Sequence, residues 1–309
     1  MVVSLTMATI FFVMGIGFMW LGAFFLWYMI RGKQCLVHSL LCVLPVSLVT
    51  SFIVFGNNVE TVAGTLWGTI AFNLGMIGLL GVCCKVQMPW SECVKPMFWL
   101  GLCWLTCFVT GQKGAVGRFS GVGLVLVGII AVGQVLLSTK RNDAIKDGYP
   151  KTNKSNDSCR QLNQSVRIWL ILLGILLMVI GVWLVVLHYS VPIIAIGLPV
   201  NLGGALVIAP LCSASIWLVW RPKEQKQMNQ LAVSLLWGNV LIATFGLGLV
   251  ALCKGSLHLT QSTELVILPW TAGLMIACLL GKFTSQKTTR VWGGLVLLLY
   301  LGCVITLLV

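Results

Sequence analysis

Residues 64–81 read GTLWGTIAFNLGMIGLLG, and this stretch decides the architecture. It is apolar enough to cross a bilayer, yet it carries Trp67, Asn73 and glycines at helical-turn spacing. A second version of its opening, LWGN, occurs at 236–239, so that Trp67 is followed by Trp237 after 170 residues. The match indicates that the chain contains an internal repeat.

The repeat continues beyond the tryptophans. Gly111-Gln112 is matched by Gly281-Lys282 at the same offset, and Gly123-Leu-Val-Leu is matched by Gly294-Leu-Val-Leu at an offset of 171. Several matches at nearly one offset exceed what a biased composition produces easily. The sequence therefore predicts two related halves.

The composition defines the class of protein. The 309 residues are 59% hydrophobic and only 9% charged, whereas soluble domains carry roughly 25% charged residues. Apolar runs of about 20 residues, enough to cross the hydrocarbon core, recur along the chain. We predict an all-α polytopic membrane protein with ten transmembrane helices. They are expected near 5–30, 36–55, 61–82, 87–110, 119–138, 168–188, 191–220, 230–253, 259–281 and 291–309.

The basic residues predict the orientation of these helices. Sixteen Lys and Arg residues fall in the odd-numbered connections and three, Lys113, Arg118 and Lys254, in the even-numbered ones. The positive-inside rule then makes the odd connections cytoplasmic and places both termini outside a cell membrane. The net charge of +13 is thus explained by the bilayer, without nucleic acid as a partner.

The chain divides close to its midpoint. We expect a first five-helix repeat at 1–138, a polar cytoplasmic linker at 139–167 and a second five-helix repeat at 168–309. Because five is odd, the second half enters the membrane in the opposite sense. Inverted repeats of this kind are typical of secondary transporters, which bind substrate at the midplane between the halves.

Polar residues inside the spans mark the candidate substrate site, because a polar group in hydrocarbon is costly unless it faces protein or a wet cavity. The seventh helix also carries Gly197, Pro199, paired glycines and Pro210, which predicts a broken span. Packing between helices is the competing explanation for each of these residues. The candidate substrate-binding residues are Trp67, Asn73, Gln87, Asn201, Trp237 and Asn239.

Two acidic residues are candidates for coupling protons to transport. Glu92 lies near the start of the fourth helix and Glu264 in the first turns of the ninth, at roughly equivalent positions in the repeat. An ion pair between Glu92 and Lys95, at i,i+3, is the competing interpretation.

Other chemistries find no support in the sequence. The twelve cysteines lie mostly inside apolar runs and lack CxxC spacing, so no metal site is predicted. No nucleophile–base arrangement or phosphate-binding loop occurs, so we predict neither an enzyme nor a bound cofactor.

Taken together, the Trp-Gly, Asn73 and Gly75 pattern of the third helix, Gly117-Arg118 before the fifth, and Leu198-Pro199 with Gly203-Gly204 in the seventh resemble the drug/metabolite transporter superfamily. The closest likeness is to its L-rhamnose–proton symporter and glucose/ribose uptake branches. The resemblance implies a sugar or a similar metabolite that moves between the two halves with protons.

A second resemblance is to the cation/calcium exchangers, which also have ten helices in inverted repeats. Their ion site needs a carboxylate beside a mid-helix proline, because a hard cation prefers charged oxygen ligands. The corresponding pairs here are Pro45-Val46 and Pro210-Leu211, which carry no carboxylate. The sequence therefore favours the first family.

The functional expectation is a secondary transporter of a small neutral metabolite, with a monosaccharide such as L-rhamnose as the best candidate and proton symport as the driving reaction. Neutral Asn and Gln side chains on apolar walls suit such a ligand. The alternatives are an exporter of amphipathic drugs or amino acids, and a membrane partner subunit without transport activity.

Overall fold

The computed structural model describes residues 2–30, 45, 48–50, 59–84, 86, 90–112, 114–146, 164–213, 225–260, 263–281 and 288–309. The helices in this part of the chain are α1 Val2–Ile30, α2 Val59–Cys84, α3 Trp90–Gly111, α4 Arg118–Lys146, α5 Gln164–His188, α6 Ser190–Ala195, α7 Val200–Gly203, α8 Ala209–Cys212, α9 Gln225–Leu241, α10 Leu247–Lys254, α11 Leu268–Leu280 and α12 Thr289–Leu308. Three π-helical segments join them: π1 Gly204–Ile208, π2 Ile242–Gly246 and π3 Thr263–Ile267.

The predicted polytopic helical membrane protein is confirmed. Within the described ranges, eight helices are long and apolar enough to cross a membrane. The predicted second span, 36–55, lies largely outside the described residues. The count of ten, the inversion of the repeats and the placement of the termini stay predictions.

Two features of the fold differ from the sequence expectation. Helix α4 continues to Lys146, eight residues into the predicted linker, because hydropathy marks the membrane boundary and not the end of a helix. A short antiparallel ribbon also joins β1 Ala115–Gly117 to β2 Ser256–His258. Three-residue strands are too short for a side-chain alternation to reveal them.

The predicted break in the seventh span is present. Helix α6 ends at Ala195, and the chain turns through Gly197, which has a φ of 77° that glycine adopts without strain. After α7, the segment π1 and α8, the backbone becomes extended at Ser213, with φ −76° and ψ 116°. A helix broken within its span exposes backbone carbonyls, which the surrounding protein must satisfy.

Helix α2, which contains the opening stretch, is the central helix of the fold. Every side chain from Thr61 to Gly78 is buried, and α2 packs against α12, π1, α9 and α11. Its glycines allow close approach: a Cβ placed on Gly68 would lie 2.7 Å from the Cα of Ala205. The combination of small and polar residues in this span therefore reflects contact with protein on all sides.

Helices α1 and α5 cross at glycines. A Cβ on Gly15 would lie 2.8 Å from the carbonyl oxygen of Gly181, and a Cβ on Gly22 would lie 2.5 Å from that of Gly174. Because Gly15 lies against Gly181 and Gly22 lies against Gly174, the two helices run antiparallel. Backbone-to-backbone contact of this kind is the typical packing of helices in lipid, where small residues permit close approach.

A second kind of glycine contact occurs twice, each time between residues far apart in the chain. A Cβ on Gly78 would lie 2.9 Å from the carbonyl oxygen of Gly293, and a Cβ on Gly248 would lie 3.0 Å from that of Gly121. Gly78 and Gly248 differ by 170 residues, and Gly121 and Gly293 differ by 172. These are the offsets of the sequence repeat, so equivalent contacts recur between α2 and α12 and between α10 and α4.

Gly15→Leu is expected to lower the free energy of unfolding by at least about 2 kcal/mol, because the added side chain must force α1 away from α5. Gly17→Leu is the matched control on the same helix, since a Cβ there meets no atom within 4 Å. Thermal unfolding of the purified variants in detergent measures both. Equal melting temperatures for the two variants would contradict the close crossing.

Candidate functional site

Two asparagines from the repeated segments meet in the middle of the fold. The side-chain nitrogen of Asn73 in α2 donates a hydrogen bond to the side-chain oxygen of Asn239 in α9, at 2.8 Å. The amide of Asn239 also approaches the carbonyl oxygen of Ile70, at 3.5 Å. Both asparagine side chains have no exposed surface. Asn73 follows Trp67 by six residues and Asn239 follows Trp237 by two, so the two asparagines occupy different positions of the sequence repeat.

A third polar group comes from the broken seventh span. The hydroxyl of Ser213 donates to the side-chain oxygen of Asn73 at 3.1 Å, and Ser213 is also fully buried. Its extended backbone directly follows α8, which carries Pro210 in its first turn. We name Asn73, Asn239 and Ser213 the central polar cluster.

The central polar cluster is electrically neutral. It consists of two amides and one hydroxyl, and the spans expected over 36–55 and 191–220 contain no Asp or Glu in the sequence. The seven acidic residues of the chain all lie in connections or near the ends of spans: Glu60, Glu92, Asp143, Asp147, Asp157, Glu224 and Glu264. The cluster can therefore offer oxygen ligands and hydrogen-bond donors, but no formal charge.

Two threonines of α2 form their hydrogen bonds within the helix. Thr65 donates to the carbonyl oxygen of Thr61 at 2.8 Å, and Thr69 donates to that of Thr65 at 2.7 Å. Hydroxyls bonded back to the preceding turn need no partner from another helix. The oxygen atoms of these two hydroxyls lie along the buried part of α2, where α2 faces π1.

The two repeated tryptophans do not hydrogen-bond to the cluster. Trp67 is completely buried, and its indole N–H is without a hydrogen-bond partner in the described part of the chain. Trp237 is buried as well, with 8% of its surface exposed. Both belong to the packed core. Their predicted role in lining a substrate cavity stays a prediction.

The two candidate coupling residues lie far from each other. Glu92 is exposed in the first turn of α3. Glu264 is half-buried in π3, where a Cβ on Gly111, the last residue of α3, would lie 3.2 Å from its Oε1 atom. Gly111 follows Glu92 by 19 residues, which is about 28 Å along a helix. The structure thus places the two acids at opposite ends of α3.

The remaining candidates cannot be placed at the site. Gln87 lies outside the described residues, as does the side chain of Asn201, although its backbone belongs to α7. Ser213 was missed by the sequence reasoning. The signal that could have found it is its position three residues after Pro210, as a polar side chain within an apolar stretch.

The described helices define a polytopic helical membrane protein. No family model and no curated protein matches the chain, but solved structures do. The H+/Ca2+ exchanger CAX matches with a TM-score of 0.66 and 14% identity, over 97% of this chain and 88% of that one. The sodium-calcium exchanger NCX_Mj, soaked with Na+ and without Ca2+, matches with a TM-score of 0.63 and 13% identity, over 97% and 99%.

These matches correct the family assignment. The fold is that of cation exchangers, which form a different superfamily from the drug/metabolite transporters, so the resemblance favoured by the sequence is wrong. The assignment failed because Trp-Gly, Asn and spaced glycines meet the packing needs of any buried membrane helix. The structures that the chain resembles are ion exchangers and not enzymes. The family resemblance that implied a sugar substrate therefore no longer supports that expectation.

Proposed function

We propose that this protein is a secondary transporter of small monovalent cations, such as Na+, which bind at the central polar cluster. The observation that carries the proposal is the buried contact of Asn73 with Asn239 and Ser213 at the centre of an exchanger fold. Secondary transporters bind their ions near the membrane midplane, where broken helices supply backbone carbonyls. The cluster combines a position of this kind with neutral oxygen ligands.

The size of the site supports an ion over a sugar. Asn73 and Asn239 are in direct hydrogen-bond contact, and α2 and π1 touch at Gly68 and Ala205. Pockets for organic ligands typically occupy about 300–1,000 Å³. A cation needs only a change of the Asn73–Asn239 contact, because the two side-chain oxygens can turn toward an ion between them.

The neutrality of the site supports a single charge on the ion. Ca2+ sites are built from carboxylates, which offset the loss of hydration. The cost of removing an ion from water rises with the square of its charge, so a divalent ion pays roughly four times the penalty of a monovalent one. Amide, hydroxyl and backbone oxygens can compensate one charge more readily than two.

Binding and access are linked through the broken span. A cation held by Asn73, Asn239 and Ser213 would replace their mutual hydrogen bonds, since each oxygen would point at the ion. Ser213 follows α8 directly, so its movement changes the end of α8.

Any coupling to protons would run through Glu264, which is half-buried against the end of α3, whereas Glu92 is exposed. Glu264→Gln is expected to reduce cation uptake driven by an imposed proton gradient while leaving cation counterflow unchanged, because the amide cannot carry a proton. Glu92→Gln should leave both activities unchanged and serves as the control. Flux in proteoliposomes with and without a proton gradient measures both, and two unchanged variants would remove both acids from coupling.

The test of the proposed function is flux in proteoliposomes that contain the purified full-length protein. Isotopic Na+ uptake above that of protein-free vesicles, reduced by unlabelled Na+ and insensitive to L-rhamnose, is the expected result. Sugar counterflow without cation flux would overturn the proposal. An absence of any flux of Na+, K+, Li+ or Ca2+ would favour the membrane partner subunit, for which the closed central contact is the supporting observation.

A further inference from the structure

Trp20 of α1 forms a hydrogen bond with the broken seventh span. Its indole N–H donates to the carbonyl oxygen of Leu211 at 2.8 Å, and the two residues are 191 positions apart in the chain. Helix α1 otherwise packs mainly along α5, with smaller contacts to α6 and α8. The bond therefore joins the α1–α5 pair directly to the segment that supplies Ser213.

The carbonyl of Leu211 requires such a partner because of where α8 ends. The last four carbonyls of a helix lack partners within it. Helix α8 ends at Cys212, and Ser213 is extended, with its N–H directed to the carbonyl of Pro210. In a membrane no water replaces a missing donor, so the surrounding protein must supply one. Trp20 caps the broken end from another helix.

The cap lies two residues from the central polar cluster. Ser213 donates to Asn73, and Asn73 donates to Asn239, at 3.1 Å and 2.8 Å. A continuous path of hydrogen bonds and two peptide units thus leads from Trp20 to the site. If the carbonyl of Leu211 loses its donor, the end of α8 is free to rotate, and the hydroxyl of Ser213 loses its fixed direction.

We propose that Trp20 is a positioning residue that acts through Ser213 and sets the geometry, and hence the cation affinity, of the central polar cluster. The affinity part rests on the proposed function, while the structural link from Trp20 to Ser213 does not. Trp104 provides a matched comparison, because its indole donates to the carbonyl oxygen of Leu268 at 2.9 Å, a bond of the same kind that joins α3 to α11. Trp104 forms no hydrogen bond with the cluster.

The experiment is a double-mutant cycle on melting temperature, with Trp20→Phe, Ser213→Ala and both together. Trp20→Phe keeps an aromatic ring and removes the donor. If Trp20 acts through Ser213, the combined variant should lose clearly less than the sum of the two single losses. Trp104→Phe combined with Ser213→Ala should be additive. If Trp20→Phe cannot be purified, Trp20→Leu replaces it in the cycle, because leucine also lacks the donor.

The second measurement is the Na+-dependent rise in melting temperature of the same proteins. Trp20→Phe should weaken the apparent Na+ affinity about tenfold, the effect expected from one hydrogen bond, and should have no further effect when Ser213 is already Ala. Trp104→Phe should leave the affinity unchanged. Additivity in the Trp20 cycle, or equal effects of the two Trp→Phe variants, overturns the inference. A wild-type protein whose melting temperature does not respond to cations would instead contradict the proposed function. The double-mutant cycle on melting temperature would still test the connection between Trp20 and Ser213.

Discussion

Asn239→Ala is expected to reduce Na+ flux in proteoliposomes about a hundredfold. The variant removes one oxygen ligand and the 2.8 Å hydrogen bond that Asn73 donates to it, and breaking a buried hydrogen bond costs about 1–3 kcal/mol. The loss should appear as a weaker apparent affinity for Na+, because the ligand is missing in the bound state.

Asn229→Ala is the matched control for this experiment. Asn229 lies on the same helix, α9, ten residues before Asn239, and is only half-buried. Its replacement should leave the Na+ affinity within about twofold of the wild type, as is usual for residues outside a binding site. Comparable losses in both variants would indicate a general defect of α9 and would remove Asn239 from the site.

Asn73→Asp is expected to convert the site from monovalent to divalent cations. The change replaces an amide by a carboxylate of nearly the same shape at the centre of the cluster, where there is no exposed surface. Attraction between opposite charges is much stronger at a buried position than in water, and Ca2+ prefers carboxylate ligands. The Ca2+-dependent rise in melting temperature should therefore appear in Asn73→Asp and be absent from the wild type.

Asn73→Leu distinguishes the charge from the simple loss of the amide. It has a similar volume but no ligand atom, so it should respond to neither Na+ nor Ca2+. If Asn73→Asp folds and still fails to respond to Ca2+, the cluster does not contact the transported cation. The same result would favour a membrane protein that retains an exchanger fold without the activity.

Some properties of this protein could be predicted from its sequence because they depend on composition or local spacing. An apolar run of about 20 residues crosses a bilayer whatever its partners are, so hydropathy identified the eight candidate spans of the described residues. Pro and Gly act on their own backbone, so Gly197, Pro199 and Pro210 revealed the break in the seventh span. The offset between Trp67 and Trp237 likewise marked the repeat, and Asn73 and Asn239 were recognised as buried polar residues.

Other properties were decided only by the tertiary structure. Asn73 contacts Asn239, which is 166 residues away in the chain, and Ser213, which is 140 residues away. A hydropathy profile does not show which buried polar groups come into contact. Glu92 and Glu264 lie apart because Glu92 is in the first turn of α3, whereas Glu264 lies beside Gly111 at the other end of that helix. The family was also misread, because bilayer thickness and close packing at glycines impose the same residues on unrelated membrane folds. Span length and residue size are local requirements, whereas the fold is defined by which helices touch.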